Sequence, residues 1–175
     1  MPGLARPMLS SIAAHLHGME MTIYKRLGNM KMCIVENDEL LRESMALFFR
    51  TKGCSVQTFD SAEEAFPVLE SRPPDIVICD HGLPGIDGAE LLRGFGARHP
   101  GSIKILTGSH PNSHLVEEAK RAGIDGVLPK PYSVEEIERA LERQLRDRFE
   151  GEETAAETDE EPEVRNRRID QGGRR

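Results

Sequence analysis

Glu36, Asp80, Thr107 and Lys130 are far apart in the chain, yet each stands directly after a short apolar run or within a few residues of one. The runs are Met32 to Val35, Ile76 to Cys79, Ile103 to Leu106 and Val127 to Leu128. Together the four residues offer two carboxylates, a hydroxyl and an ammonium, a set suited to phosphorus chemistry. A carboxylate can attack phosphorus as a covalent nucleophile and form an acyl phosphate. Such a transfer needs the attacking oxygen in line with the leaving group, and neutralisation of charge on the transferred oxygens. Asp80 is the candidate nucleophile, Lys130 supplies a mobile ammonium for one phosphoryl oxygen, and Thr107 supplies a hydroxyl donor for another. Mg²⁺ held by carboxylate oxygens and waters would screen the approach of one anion to another.

These residues can meet only if the elements carrying them end at one edge. Strand-like and helix-like patterns alternate about five times, which predicts a parallel sheet covered on both faces. In such a sheet ligands bind outside the carboxyl ends of the strands. After Met32 to Val35, a helix is predicted over Glu39 to Lys52, with Leu41, Met45 and Phe48 at helical spacing and Gly53 as its stop. Ser55 to Phe59 reads as a second strand. Ser61 and Glu64 form a capping box for the next helix, which Pro67 should kink or shorten. Ile76 to Cys79 is a continuous apolar run, as expected of a central strand buried on both faces. Gly88 to Phe95 and His114 to Ala122 read as helices, with Asp87 at the start of the first and Gly123 ending the second. A second capping box, Ser133 and Glu136, opens a last helix with Ile137, Ala140, Leu141 and Leu145 on one face.

Size and charge narrow the classes. A chain of 175 residues holds one ordinary domain with tails. We expect a flexible leader over residues 1–30, with Met30 or Met32 as a possible native start, a folded domain over 31–149, and a disordered tail over 150–175. The tail has almost no large apolar residues to offset the entropy of ordering. A net charge of −7 argues against a protein that coats nucleic acid or an anionic membrane. Cys33, Cys54 and Cys79 are odd in number and two lie in apolar runs, so they read as buried free thiols. No run approaches the roughly 20 apolar residues of a membrane helix, and no signal peptide is evident. The expected location is cytoplasmic.

The strings CIVENDELLRE, DIVICDHGLPGIDGAELLR, ILTGS and GVLPKPYSVEEIERAL, in that order, together resemble the receiver domain of two-component response regulators. The resemblance implies a flavodoxin-like, doubly wound α/β fold, a five-stranded parallel sheet with strand order 2-1-3-4-5. It makes Asp80 the phosphoacceptor, Thr107 and Lys130 the switch hydroxyl and ammonium, and Glu36 part of an acidic pair that holds Mg²⁺ with Asp80 and the backbone carbonyl of Gly82. It also implies a cis Lys130–Pro131 bond and phosphate supplied by a histidine kinase or phosphotransfer protein.

Two departures stand out. The second acid of the pair is Asn37, whose amide oxygen can coordinate but brings no charge. Losing a unit charge a few ångströms from a divalent ion costs on the order of 1 to 4 kcal/mol, which predicts weakened Mg²⁺ binding. Asp38, the next residue, reads as a helix cap rather than a substitute ligand. At Val127 the family usually carries an aromatic that swings inward, so switching must rely on the loop after Thr107 and the helix beyond.

The leading expectation is therefore a phosphorylation-controlled module, without an output or DNA-binding domain, that is no enzyme beyond slow self-phosphorylation and self-dephosphorylation. An unknown downstream protein would dock on residues 114–122, 127–128 and 133–148. The alternative is a pseudo-receiver that binds a partner without being phosphorylated, motivated by Asn37 and Val127. A phosphatase of the haloacid-dehalogenase kind is remote, because the acid it needs two residues after the nucleophile is Gly82. His81, beside Asp80, is a weak candidate for a proton donor or phosphate relay.

Overall fold

The computed structural model describes residues 27–109 and 113–158, with side chains as far as Arg148. Strands β1 (Lys31–Val35), β2 (Ser55–Phe59), β3 (Ile76–Asp80), β4 (Ile103–Gly108) and β5 (Gly126–Pro129) alternate with helices α1 (Glu39–Thr51), α2 (Ala62–Ser71), α3 (Gly88–Arg98), α4 (Ser113–Arg121) and α5 (Val134–Thr158). The sheet is wholly parallel, in the order β2-β1-β3-β4-β5. The chain thus starts in the middle, winds outward to β2, crosses back over β1 and continues to β5. Its reversal point lies between β1 and β3, where a crevice opens at the strand ends.

Side-chain alternation along the strands builds two cores. Met32, Ile34, Ile76, Ile78, Ile103 and Ile105 face Met45, Ala46 and Phe49 of α1 and Ile137, Leu141 and Leu145 of α5. Cys33, Val35, Val77, Cys79 and Leu106 face α2, α3 and α4 through residues such as Leu69, Leu92 and Phe95. Every residue of β3 is buried, as its continuous apolar run predicts. The three cysteines are free and buried, and burial pushes the Cys33 thiol up to about 12.

The local signals have mixed outcomes. Ser133 and Glu136 form their capping box: the Ser133 hydroxyl accepts from Glu136 N at 3.2 Å and the Glu136 carboxylate accepts from Ser133 N at 2.7 Å. Gly53 and Gly123 take positive φ at the ends of α1 and α4, as helix stops should. Ser61, however, is in N-cap position without a side-chain cap bond. The adjoining Glu63 and Glu64 are exposed, so water can serve the free N–H groups of that turn and the box is dispensable. Pro67 lies within α2 rather than ending it.

Both expected boundaries shift. Leu27 is completely buried, in one core cluster with Phe49 and Cys54 and with Met30 packed against it. Its carbonyl accepts Met30 N at 3.0 Å and the Cys54 thiol at 3.1 Å. Residues 27–30 therefore belong to the packed domain and not to a flexible leader, because they close the core beneath α1. The expected limit at residue 149 falls inside α5, which continues to Thr158 through a Glu- and Ala-rich stretch with good helix propensity. The remaining leader (1–26) and tail (159–175) lie outside the described residues.

Candidate functional site

Three strand ends and one loop deliver the polar cluster. Glu36 directly follows β1, its backbone N–H bonded to Phe59 of β2 at 3.0 Å. Its carboxylate is buried, 2% exposed, and accepts Asp38 N at 3.2 Å on Oε1 and the Lys130 ammonium at 2.8 Å on Oε2. Asp80 ends β3 and receives the same ammonium at 3.0 Å on Oδ2. Lys130 is aimed there because its backbone N donates to Gly108 at 2.8 Å, pinning the chain beyond β5 against the end of β4. The next peptide, Lys130–Pro131, is cis, as the resemblance implied.

Thr107 is placed opposite Asp80 by strand register and is 1% exposed. Its hydroxyl turns toward the Cys79 carbonyl, a long bond of 3.5 Å. Of the four residues singled out from sequence, Glu36, Asp80 and Lys130 are thus in direct contact. Thr107 is beside them with its hydroxyl engaged elsewhere.

The rest of the predicted set divides clearly. Asn37 is exposed and its backbone carbonyl accepts Arg42 at 3.4 Å. Asp38 is the N-cap of α1, accepting Leu41 N at 3.0 Å, and so does not turn inward. Gly82 runs close past the acceptor side chain: a Cβ there would lie 3.5 Å from Asp80 Oδ2. At Gly88 any Cβ would collide with the Asp80 carbonyl, so the loop can fold back only on glycine. His81 leaves the cluster. It lines a cleft of about 740 Å³ between α3 and α4, with Asp87 and Glu118, its Nδ1 3.9 Å from Asp87 Oδ1. Alternation along the strand explains this, because neighbours in sequence point to opposite faces.

Two contributors escaped sequence reading. Arg42 of α1 donates to the Glu36 carbonyl at 2.7 Å, bracing the turn that presents the carboxylate. Tyr132, two residues after Lys130, packs against the core cluster that contains Met45, its hydroxyl donating to the sulfur at 3.6 Å. An Arg six residues after Glu36 and an aromatic two after Lys130 carry no periodic signal that would have marked them.

Electrostatics at the site are unbalanced. Burial pushes the Glu36 carboxyl above its usual range, the hydrogen bonds from Lys130 and Asp38 oppose that, and the nearby charge of Asp80 adds to it. Burial pulls Lys130 down, yet its bonds to Glu36 and Asp80 outweigh that and hold it above the ordinary lysine value. The two partners therefore do not shift as a simple ion pair would, in which the carboxyl falls. Geometry decides the sign: one ammonium cannot fully compensate two buried carboxylates. Such a set of hard oxygen donors fits Mg²⁺, and Glu36, Asp80 and the Gly82 carbonyl are the groups that would hold it. Among the described residues no group of three or more His, Cys, Asp or Glu side chains is placed to hold a metal.

A family model for the response regulator receiver domain matches residues 32–142, more than half of the chain. The chain belongs to that family. The receiver is similar to the DNA-binding transcriptional regulator NtrC of Klebsiella pneumoniae, 30% identical over 112 residues, which are 64% of this chain and 24% of that protein. It is also similar to the transcriptional regulatory protein QseB of Escherichia coli O157:H7, 33% identical over 120 residues, 67% of this chain and 53% of that one. Among solved structures, a CheY-like receiver domain protein from Methanospirillum hungatei shares the fold with a TM-score of 0.65 at 21% identity, covering 69% of this chain and 97% of that one. The receiver thus spans about a quarter of the length of the NtrC relatives and about half of QseB. Receiver domains are signalling modules that accept phosphate from histidine kinases or phosphotransfer proteins and bind Mg²⁺ at the phosphorylation site. No described helix is long and apolar enough to cross a membrane.

Proposed function

We propose that this receiver accepts a phosphoryl group on Asp80 and uses it as a switch. The observation that carries the reading is the Lys130 ammonium, bonded at once to Asp80 at 3.0 Å and Glu36 at 2.8 Å. It holds the acceptor carboxylate beside a fixed positive charge at the open end of the sheet. In the transfer an Asp80 oxygen attacks phosphorus and forms a P–O bond. The P–N bond of a phosphohistidine donor, or the P–O bond of a small acyl phosphate, breaks, and its electron pair leaves with the donor. Lys130 then meets a phosphoryl oxygen, and Thr107, directly opposite Asp80 in the β3–β4 pair, can rotate its hydroxyl toward another. Mg²⁺ would supply charge neutralisation on the transferred oxygens. Asn37 leaves that neutralisation weaker than three acids would give.

Phosphorylation adds roughly −1.5 to −2 charges and biases the β4–α4 region, β5 and α5 between two arrangements. The proposed face for a downstream protein is residues 114–122, 127–128 and 133–148. It includes a cleft of about 270 Å³ between β5 and α5 that Val127, Leu128, Arg139 and Arg143 line. The expectation of a module without an output domain is not carried by the relatives, of which the chain covers only part.

A pseudo-receiver remains the second reading, favoured by Asn37, which brings no charge to the metal site, and by Val127, which has no ring to reorient. Intact mass after incubation with Mg²⁺ and acetyl phosphate or phosphoramidate separates the two. One added phosphoryl group in wild type, and none in Asp80→Asn, supports the switch. No addition to a folded wild type overturns it.

A further inference from the structure

The loop between β3 and α3, residues 81–87, carries the Gly82 carbonyl that would hold Mg²⁺, and it is held unequally along its length. Its ends are tied. His81 N donates to the Thr107 carbonyl at 2.7 Å, Leu83 is buried in one core cluster with Ala62 and Ala65 of α2, and Asp87 caps α3 by accepting Glu90 N at 2.8 Å. The tip is exposed at Pro84, Gly85 and Ile86, and glycines at 82 and 85 leave its backbone wide freedom.

One side chain reaches that tip. Glu63, in the first turn of α2, accepts Ile86 N on Oε1 at 3.2 Å. Among the described residues this is the one hydrogen bond to the backbone of residues 82–86. Gly85 permits the approach, because its φ is +77° and a Cβ there would collide with Glu63 Oε1. Asn37 brings no charge to the site, so a bound ion depends more heavily on Glu36, Asp80 and the Gly82 carbonyl. A carbonyl on an untethered glycine loop must be ordered when the ion arrives, and that ordering is subtracted from affinity. A tether made beforehand spares it.

We propose that Glu63 is a positioning residue for the metal: its bond to Ile86 N holds the loop tip and so limits the directions open to the Gly82 carbonyl. Glu63 touches no reacting atom. Like the switch itself, this role rests on Mg²⁺ at the proposed phosphorylation site, and it makes α2 a determinant of the ion's affinity.

Mg²⁺ titration calorimetry on the full chain, without phosphodonor, compares wild type, Glu63→Ala and Glu63→Gln, with circular dichroism as the check on folding. Glu63→Ala should weaken binding about fivefold, the worth of one hydrogen bond. Glu63→Gln, whose amide oxygen still accepts Ile86 N, should bind as wild type does. With acetyl phosphate and intact mass as the readout, Glu63→Ala should raise the Mg²⁺ concentration for half-maximal phosphorylation by the same factor and leave the rate at saturating Mg²⁺ unchanged. Lower thermal stability in Glu63→Ala with unchanged Mg²⁺ affinity marks a merely structural tie and overturns the role. So does a Glu63→Gln variant as weak as Glu63→Ala, or a folded wild type that binds no Mg²⁺. The expected order of Mg²⁺ affinities in protein that gains no phosphate overturns Asp80 as acceptor and leaves Glu63 in its role.

Discussion

Two lysines lie at opposite ends of the same sheet, each against aspartate. At the amino-terminal end Lys104 is 3% exposed, and its ammonium bonds the Ser102 carbonyl at 2.7 Å and Asp125 at 3.1 Å. Asp125 also accepts Lys104 N at 2.8 Å and faces Arg148 at 3.4 Å. The Arg148 guanidinium reaches the carbonyls of Gly101 and Ser102 as well, and Gln144 ties α5 to the Asp125 carbonyl at 2.9 Å. Two cations there surround one carboxylate, with backbone carbonyls completing the set. At the carboxyl-terminal end one cation, Lys130, serves two carboxylates in an open crevice. The first arrangement can only hold α5 and the α4–β5 turn in place, while the second has negative charge to spare for an incoming cation and an oxygen free to react. Similar residue types thus make a clamp at one end and a reactive site at the other, according to charge balance and access.

Replacing the acceptor breaks the contrast most completely. Asp80→Asn should lose all phosphoryl incorporation by intact mass with the fold retained by circular dichroism, since one of two competing carboxylates becomes neutral. The clamp should respond in the opposite sense. Asp125→Ala strands the Lys104 ammonium and is expected to cost about 3 kcal/mol, the lower part of the range for breaking a buried pair, because Asp125 is partly exposed. Denaturant unfolding measures that loss, and the fraction phosphorylated while folded should not change.

A smaller effect sharpens the metal side. Asn37→Asp restores a carboxylate and should tighten Mg²⁺ binding about tenfold by titration calorimetry, the equivalent of about 1.4 kcal/mol. Unchanged affinity would place residue 37 outside the metal's reach. The smallest effect concerns Glu36, whose carboxyl is held above its ordinary value. A raised carboxyl contributes stability that is fully present below the unfolded value near 4.5 and is lost as pH rises through the folded one. Glu36→Gln should therefore stabilise the metal-free protein at neutral pH by something on the order of 1 kcal/mol and flatten its acid dependence. With Mg²⁺ added, wild type should gain more thermal stability than the variant.

Legibility followed the range of the interaction. Asp38, Asp87, Ser133 with Glu136, Gly53 and Gly123 act within a few residues, so their types and spacing announced the helix ends that the structure shows. Ser61 with Glu64 carried the same pattern and formed no cap, because an exposed helix start can be satisfied by water instead. Leu27 was unreadable for a different reason. Its burial depends on Cys54 and Phe49, distant in sequence, and no periodic neighbours flag a lone apolar residue in a leader. Lys104 is buried within the run Ile103 to Leu106, and Asp125 and Ser102 make that burial tolerable.

By itself the sequence determined the alternation of strand and helix, and with it the gathering of Glu36, Asp80, Thr107 and Lys130 at one edge. That follows because period-2 and period-3.6 patterns are local and a parallel sheet has only one carboxyl end. Only the tertiary structure decided which of them touch, that His81 faces away, that Lys130 is shared between two carboxylates, and that the Thr107 hydroxyl turns to the Cys79 carbonyl. Those outcomes depend on strand register, side-chain direction and the competition of buried charges for one ammonium, quantities of a few ångströms that no spacing along the chain encodes.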